Sequence, residues 1–125
     1  MNTRNQYPFE KLRVWRAARE LAKATYLTTS AFLQREVYGL TRPSNRVAVS
    51  VVANLAEGGS RQSRKDQAHF SEIAYGSLME LACLLILCKD IGILAADTEE
   101  TLRKSIEDVS IQLNALHRSQ RARII

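Results

Sequence analysis

The chain holds few of the residues that interrupt or staple a fold: 5 glycines, 2 prolines, 2 cysteines, 2 histidines and 1 tryptophan in 125 residues. So little Gly and Pro excludes collagen and low-complexity disorder, and two cysteines cannot frame a disulfide-stapled miniprotein. Those cysteines, Cys83 and Cys88, are five apart in a helical pattern, which sets their Cα atoms about 8 Å apart, beyond the roughly 7 Å limit for a disulfide. Both are expected as small core residues. His69 and His117 show no zinc spacing with them, so no metal and no cofactor is expected. The longest apolar stretches, residues 47–52 and 81–88, fall far short of the roughly 20 residues of a membrane span, and no basic start leads into an apolar run. No membrane contact and a cytoplasmic location are therefore expected.

What is present is the material of one soluble all-α domain over residues 1–125, with an apolar share of 46% and a charged share of 25%. Four amphipathic segments, at about 10–33, 43–58, 64–91 and 98–120, organise it. In the first, Leu12, Trp15, Ala18, Ala22, Tyr26, Thr29 and Leu33 recur at steps of three and four and form one stripe. A link at residues 39–44 follows, with Thr41 as cap and Pro43 in the first turn of the second helix. Residues 47–55 are β-branched enough to suit a buried strand, but Ala48, Val51, Val52 and Leu55 share a helical face and Gly58-Gly59 supplies a stop.

Ser63 with Asp66 three residues on forms a near capping box for the third segment. Phe70, Ile73, Ala74, Ser77, Leu81, Leu84, Leu85, Cys88 and Ile91 carry its stripe as far as Gly92. Its 28 residues span roughly 42 Å, longer than a small core is wide. The fourth begins at Asp97 or Thr98, with Glu99 and Glu100 in its first turn, and repeats Leu102, Ile106, Val109, Leu113 and Leu116. Short links between four helices predict an antiparallel up-and-down four-helix bundle.

Tyr38-Gly-Leu-Thr, Ala48-Val-Ser50, Asn54-Leu-Ala-Glu-Gly58, then Arg61, Ser63, Lys65, Phe70, Ile73-Ala and Gly76-Ser-Leu-x-Glu80-Leu occur in that order. With the opening Phe9-Glu-Lys-Leu-x-Val-Trp15, they resemble the four-helix-bundle family of proteins encoded in 23S ribosomal RNA intervening sequences. The match in motifs covers about two thirds of the chain. The resemblance implies a left-handed up-and-down bundle assembled as a homopentameric ring. It also implies kinship with the accessory protein of diversity-generating retroelements, and so nucleic acid and a reverse transcriptase as partners. Most members have no established activity. The sequence departs from the family pattern at Pro43-Ser-Asn45 and Val51-Val-Ala53, where loss of an Arg leaves Arg42 and Arg46 as the basic residues of helix two.

Charge is the functional signal of the sequence. In an up-and-down bundle the start of helix one, the link between helices two and three and the end of helix four share one pole. Residues 1–23 carry six basic and two acidic groups, 57–66 three and two, and 117–125 three and none, giving +8 there against −3 for the rest. A ring would multiply that pole into a basic face that binds phosphate backbones without reading sequence. The expected contacts are Lys11, Arg13, Arg16, Arg61, Arg64, Lys65, Arg118, Arg121 and Arg123. Pairs such as Arg16 with Glu20 would screen some of them, whereas Arg118, Arg121 and Arg123 have no acid nearby in sequence. Trp15, Tyr26, Phe32, Phe70 and Tyr75 read as core, which leaves Tyr7 and Phe9 as the aromatics placed to stack on bases.

Enzyme readings are thinner. Arg64-x-x-x-x-His69 has the Arg-to-His spacing of the helical HEPN ribonucleases, but with 13 Arg in the chain such a hit arises readily by chance. His69 and Glu72 occur once and in reversed order, short of the four-helix set of a di-iron bundle. Glu57, Glu72 and Glu80 are expected in ion pairs or caps between helices or subunits, and the small pair Gly76-Ser77 in close helix or subunit approach. The reading is a noncatalytic ring that binds RNA or DNA, with a protein-binding adaptor as the alternative.

Overall fold

A computed structural model describes residues 5–122, and every regular element among them is helical: α1 (Arg13–Thr29), α2 (Arg42–Gly59), α3 (Arg64–Asp90) and α4 (Ala96–Ala122). The chain enters through a 3-10 turn at Pro8–Lys11, with the Glu10 carboxylate accepting a 2.8 Å bond from the Tyr7 N–H. Leu12 is then extended, so α1 starts three residues later than its periodicity predicts. It also ends four residues earlier. Hydroxyls of Thr25, Thr28 and Ser30 bond back to the carbonyls of Leu21, Ala24 and Leu27, and Thr29 donates across to Asn45 Oδ1 at 3.0 Å. Side chains that take over backbone acceptors in this way favour helix ends.

The face that α1 buries is Val14, Trp15, Ala18, Leu21, Thr25 and Thr29. Tyr26 and Leu33, expected on the stripe, are 51% and 54% exposed. The turn at residues 34–36 runs into a π-helical turn, Val37–Thr41, and directly on into α2. Pro43 sits in the first turn of α2 as predicted, but Thr41 is no cap. Because the chain arrives already coiled, Thr41 has helical dihedrals and makes no cap bond.

Residues 47–55 are helical, with Val47, Ala48, Val51 and Leu55 buried. Gly58 and Gly59 do not end α2 through a left-handed residue, since Gly92 alone among the described residues has positive φ. Gly58 serves packing: a Cβ there would lie 2.9 Å from Phe70 Cβ on α3. Ser63 caps α3 by accepting the Asp66 N–H at 3.0 Å. Its other end is a Schellman motif around Gly92 (φ +87°), with Gly92 N–H bonded to Lys89 and Ile93 N–H to Cys88.

Ala74, Leu78, Leu81, Leu85 and Cys88 of α3 form the centre of the core, against α2 on one side and α4 on the other. Contacts between α1 and α2 and between α1 and α4 close the array. Ser71 and Glu72 of α3 bond to Gln120 and His117 of α4, while Lys89 meets Glu99, so low numbers in one helix face high numbers in the other. Close approach of α2 and α3 is carried by Ser77, whose hydroxyl bonds that of Ser50 at 2.8 Å, whereas Gly76 faces open space.

Two expectations about apolar residues are overturned. Cys88 is buried, but Cys83 is exposed, because a step of five carries it off the buried face. Burial pushes the Cys88 thiol up. Counting uninterrupted runs also understated α3, which is long and apolar enough by length and composition to cross a membrane. Its apolar character is not all core: Ile73, Met79, Leu87 and Ile91 are exposed.

Gly58→Ala is expected to lower stability by about 1–3 kcal/mol through overpacking against Phe70. Gly59→Ala, whose Cβ would meet Phe9 at an ordinary 3.6 Å, is expected to be neutral or stabilising by up to about 1 kcal/mol. Urea unfolding of the two variants measures the contrast.

Candidate nucleic-acid interface

Three chain segments rich in Lys and Arg meet at one end of the molecule. Residues from the entry turn (Phe9), the end of α2 (Gly59), the start of α3 (Arg64) and the end of α4 (Leu116) line a single cavity of about 220 Å³. Tyr7 and Phe9 stack with centroids 5.6 Å apart and planes 4° apart, and Phe9 sets its edge on Trp15 at 4.8 Å. Side-chain contacts tie the link from α2 to α3 to both helices. Arg61 lies over the Phe70 ring at 4.7 Å and pairs with Glu57 at 3.3 Å, while Gln67 donates to the Arg61 carbonyl and accepts from Arg64 Nη1.

The expected basic residues divide by what holds them. Lys11, Arg13, Lys65 and Arg118 are exposed and make no ion pair among the described residues. Arg16 is not screened by Glu20; it donates to the Glu10 carbonyl at 2.9 Å, and Glu20 instead takes Arg19 and Lys23. Arg64 is half-buried at the cavity. The absence of acid expected around Arg121 is corrected by Glu72, about two turns into α3, whose Oε2 lies 3.8 Å from Arg121 Nη1. Arg123 lies outside the described residues.

The same Glu72 oxygen is 2.8 Å from His117 Nε2. That hydrogen bond, aided by the charges of His117, Arg121 and His69, holds the Glu72 carboxyl below its ordinary value of 4.5 against a weaker effect of burial. Glu72 thus pairs between helices as expected, whereas Glu57 pairs locally with Arg61, four residues on. Tyr26, expected in the core, is exposed, and Phe32, Phe70 and Tyr75 are half-buried. His69 sets its edge on Phe70, while Arg64 is engaged by Gln67, so the two residues of the ribonuclease spacing have different partners. Among the described residues no three His, Cys, Asp or Glu are grouped to hold a metal.

The family model for 23S rRNA-intervening sequence proteins matches residues 10–115. The chain belongs to that family. None of the curated proteins compared with it matches. Within this family member, the match covers the core of all four helices but stops short of Tyr7, Phe9, Arg118 and Arg121.

Sequence reasoning by charge missed the neutral part of the site. Asn54, Gln67, Ser71 and Gln120 all line the cavity, and Ser71 Oγ donates to Gln120 Oε1 at 2.7 Å. A signal existed for Gln120, which falls seven residues after Leu113 and four after Leu116, on the buried stripe of α4.

Because the folded Glu72 carboxyl titrates below its unfolded value, its contribution to stability is present above about pH 4.5 and is lost as pH falls through the lowered folded value. Solvent exposure keeps that contribution small. In a carboxyl-detected NMR titration, His117→Ala is expected to return Glu72 toward 4.5; an unmoved midpoint would assign the shift elsewhere.

Proposed function

We propose that the protein is a noncatalytic cytoplasmic scaffold that holds RNA or DNA by its phosphates. In this reading it is a left-handed antiparallel up-and-down bundle, assembled as a homopentameric ring with the basic end of each protomer on one face. The observation that carries it is the convergence, around one cavity, of the entry turn, the α2–α3 link and the end of α4, which bring Lys11, Arg13, Arg64, Lys65 and Arg118 to the same end. Lys11, Arg13, Lys65 and Arg118, which make no ion pair among the described residues, are free to replace the counterions of a phosphate backbone. Self-association is supported by uncovered apolar surface: a groove of about 530 Å³ between α1 and α2, lined by Tyr26, Leu27, Val49 and Val52, and the outward residues of α3.

Binding to a single strand should fall with salt at a slope of about 0.7 per phosphate contacted, so the triple change of Arg118, Arg121 and Arg123 to Ala is expected to flatten log K against log salt by up to about 2. Affinity should drop equally on all sequences. Arg46→Ala and Lys104→Ala, roughly 20 Å away along α2 and α4, should leave the slope unchanged, because that separation exceeds two Debye lengths. Salt-insensitive binding, or a dominant effect of Arg46 and Lys104, would overturn the reading. Light scattering should give about five times the 14.1 kDa chain mass; a monomer at micromolar concentration would remove the ring.

A further inference from the structure

The cavity at the basic end has features that phosphate binding does not use. Gln120 is 94% buried by its 6% exposure, and its carboxamide is only half satisfied. Its Oε1 accepts the Ser71 hydroxyl, but its Nε2 has no hydrogen-bond partner among the described residues. Asn54 is similarly divided. Its Nδ2 donates to Ser50 O and Oγ at 2.8 and 3.0 Å, and its Oδ1 has no partner among the described residues. Both residues line the cavity, together with the apolar side chains Leu12 and Leu116, the Phe9 ring and the Arg64 guanidinium.

Neither Gln120 Nε2 nor Asn54 Oδ1 is sealed off from solvent, so both open to the cavity, where a ligand or water can take them. The complement of these groups is a flat ring that offers one acceptor to Gln120 and one donor to Asn54, carries an aromatic or apolar face for Phe9 and the leucines, and bears an anion for Arg64. Arg64 gives one of its five N–H groups to Gln67, so the others remain for a phosphate. At about 220 Å³ the cavity is smaller than the roughly 300–1,000 Å³ of sites for drug-sized ligands, which suits one ring system rather than a whole dinucleotide.

We propose that this cavity is a nucleotide site, taking one unstacked base against Phe9, Asn54 and Gln120 with its phosphate on Arg64. The proposal rests on the basic end as a nucleic-acid interface and narrows it to single strands, since a paired and stacked base offers neither its Watson–Crick edge nor its face. Free nucleotides and nucleotides within a strand share this chemistry.

The single tryptophan reports on the site, because Trp15 touches Phe9 edge-on at 4.8 Å. Titration of the full chain with AMP, GMP, CMP and UMP should quench Trp15 fluorescence saturably for at least one of them, while inorganic phosphate and ribose 5-phosphate should bind at least tenfold more weakly. Gln120→Glu keeps an acceptor for Ser71 but puts an anionic oxygen where the N–H donors stand, and should weaken the nucleotide at least tenfold with an unchanged circular dichroism spectrum. Leu116→Phe, which fills the cavity from another wall, should weaken it likewise should Gln120→Glu fail to fold. A single-stranded oligonucleotide should bind at least tenfold tighter than a fully abasic one of equal length.

Saturable mononucleotide binding with no oligonucleotide binding would keep the pocket, assign it to free nucleotides and remove the interface. Salt-dependent oligonucleotide binding with equal affinity for the abasic strand and no mononucleotide binding would keep the interface and overturn the pocket. Phosphate matching the nucleotides, or a folded Gln120→Glu that binds them normally, would also overturn it.

Discussion

The close approach of α2 and α3 at Gly58 is the constraint on which the basic end depends. With no Cβ on Gly58, Phe70 packs directly on the α2 backbone, and the turn between the helices is drawn in tightly enough for Arg61 to reach back over the Phe70 ring. From that position the Arg61 carbonyl accepts from Gln67, and Gln67 accepts from Arg64. A bulkier residue at 58 would lever α3 away and loosen each of these contacts in turn. The Ser50–Ser77 bond fixes the same two helices about two turns further along the seam. Helix separation and link conformation are thus one problem, solved by small residues on α2.

The existence and order of the four helices were legible because each buries one stripe with a strong period, and because Pro43, Ser63 and Gly92 mark ends by local chemistry that needs no partner. What failed was anything that depended on a second face. Tyr26 and Leu33 continue an apolar spacing, but Tyr26 lies on the outer side of α1, where it lines the open groove against α2, and Leu33 lies beyond the end of that helix. Periodicity reports that a residue is apolar at the right step and is silent on which neighbour covers it. Gly58-Gly59 marks the end of α2 as expected, but not by a left-handed residue: in sequence, a glycine needed for positive φ and one needed for close packing look alike.

Charge was legible as a sum and not as a set of pairs. The excess of basic residues in three segments can be read by counting, and the cavity that joins those segments gives the count a location. The pairing across helices cannot be read that way. Glu72 sits 45 positions from His117 in sequence and meets it at 2.8 Å only because α3 and α4 are in register there. That register takes Arg121 partly out of the pool of free cations and leaves Lys11, Arg13, Lys65 and Arg118 as the residues whose charge is least compensated.

The two ends of α4 treat a polar residue on the buried stripe in opposite ways. Glu99, near the start of α4, is 5% exposed, and its two oxygens are held by Lys89 at 3.9 Å and Arg103 at 3.0 Å, so its charge is compensated within the fold. A satisfied buried group of this kind specifies how α3 and α4 fit and asks for nothing more. Gln120, near the other end, is buried to the same degree, yet only its oxygen is engaged. A leucine in that place would extend the stripe of Leu102, Ile106, Val109 and Leu113, but would take away the acceptor of the buried Ser71 hydroxyl. The difference falls along the same axis as the charge, with the satisfied group away from the basic end and the unsatisfied one within it. Packing alone accounts for Glu99, whereas the open side of Gln120 faces the cavity that Arg64 also lines and is left to water or to a ligand there.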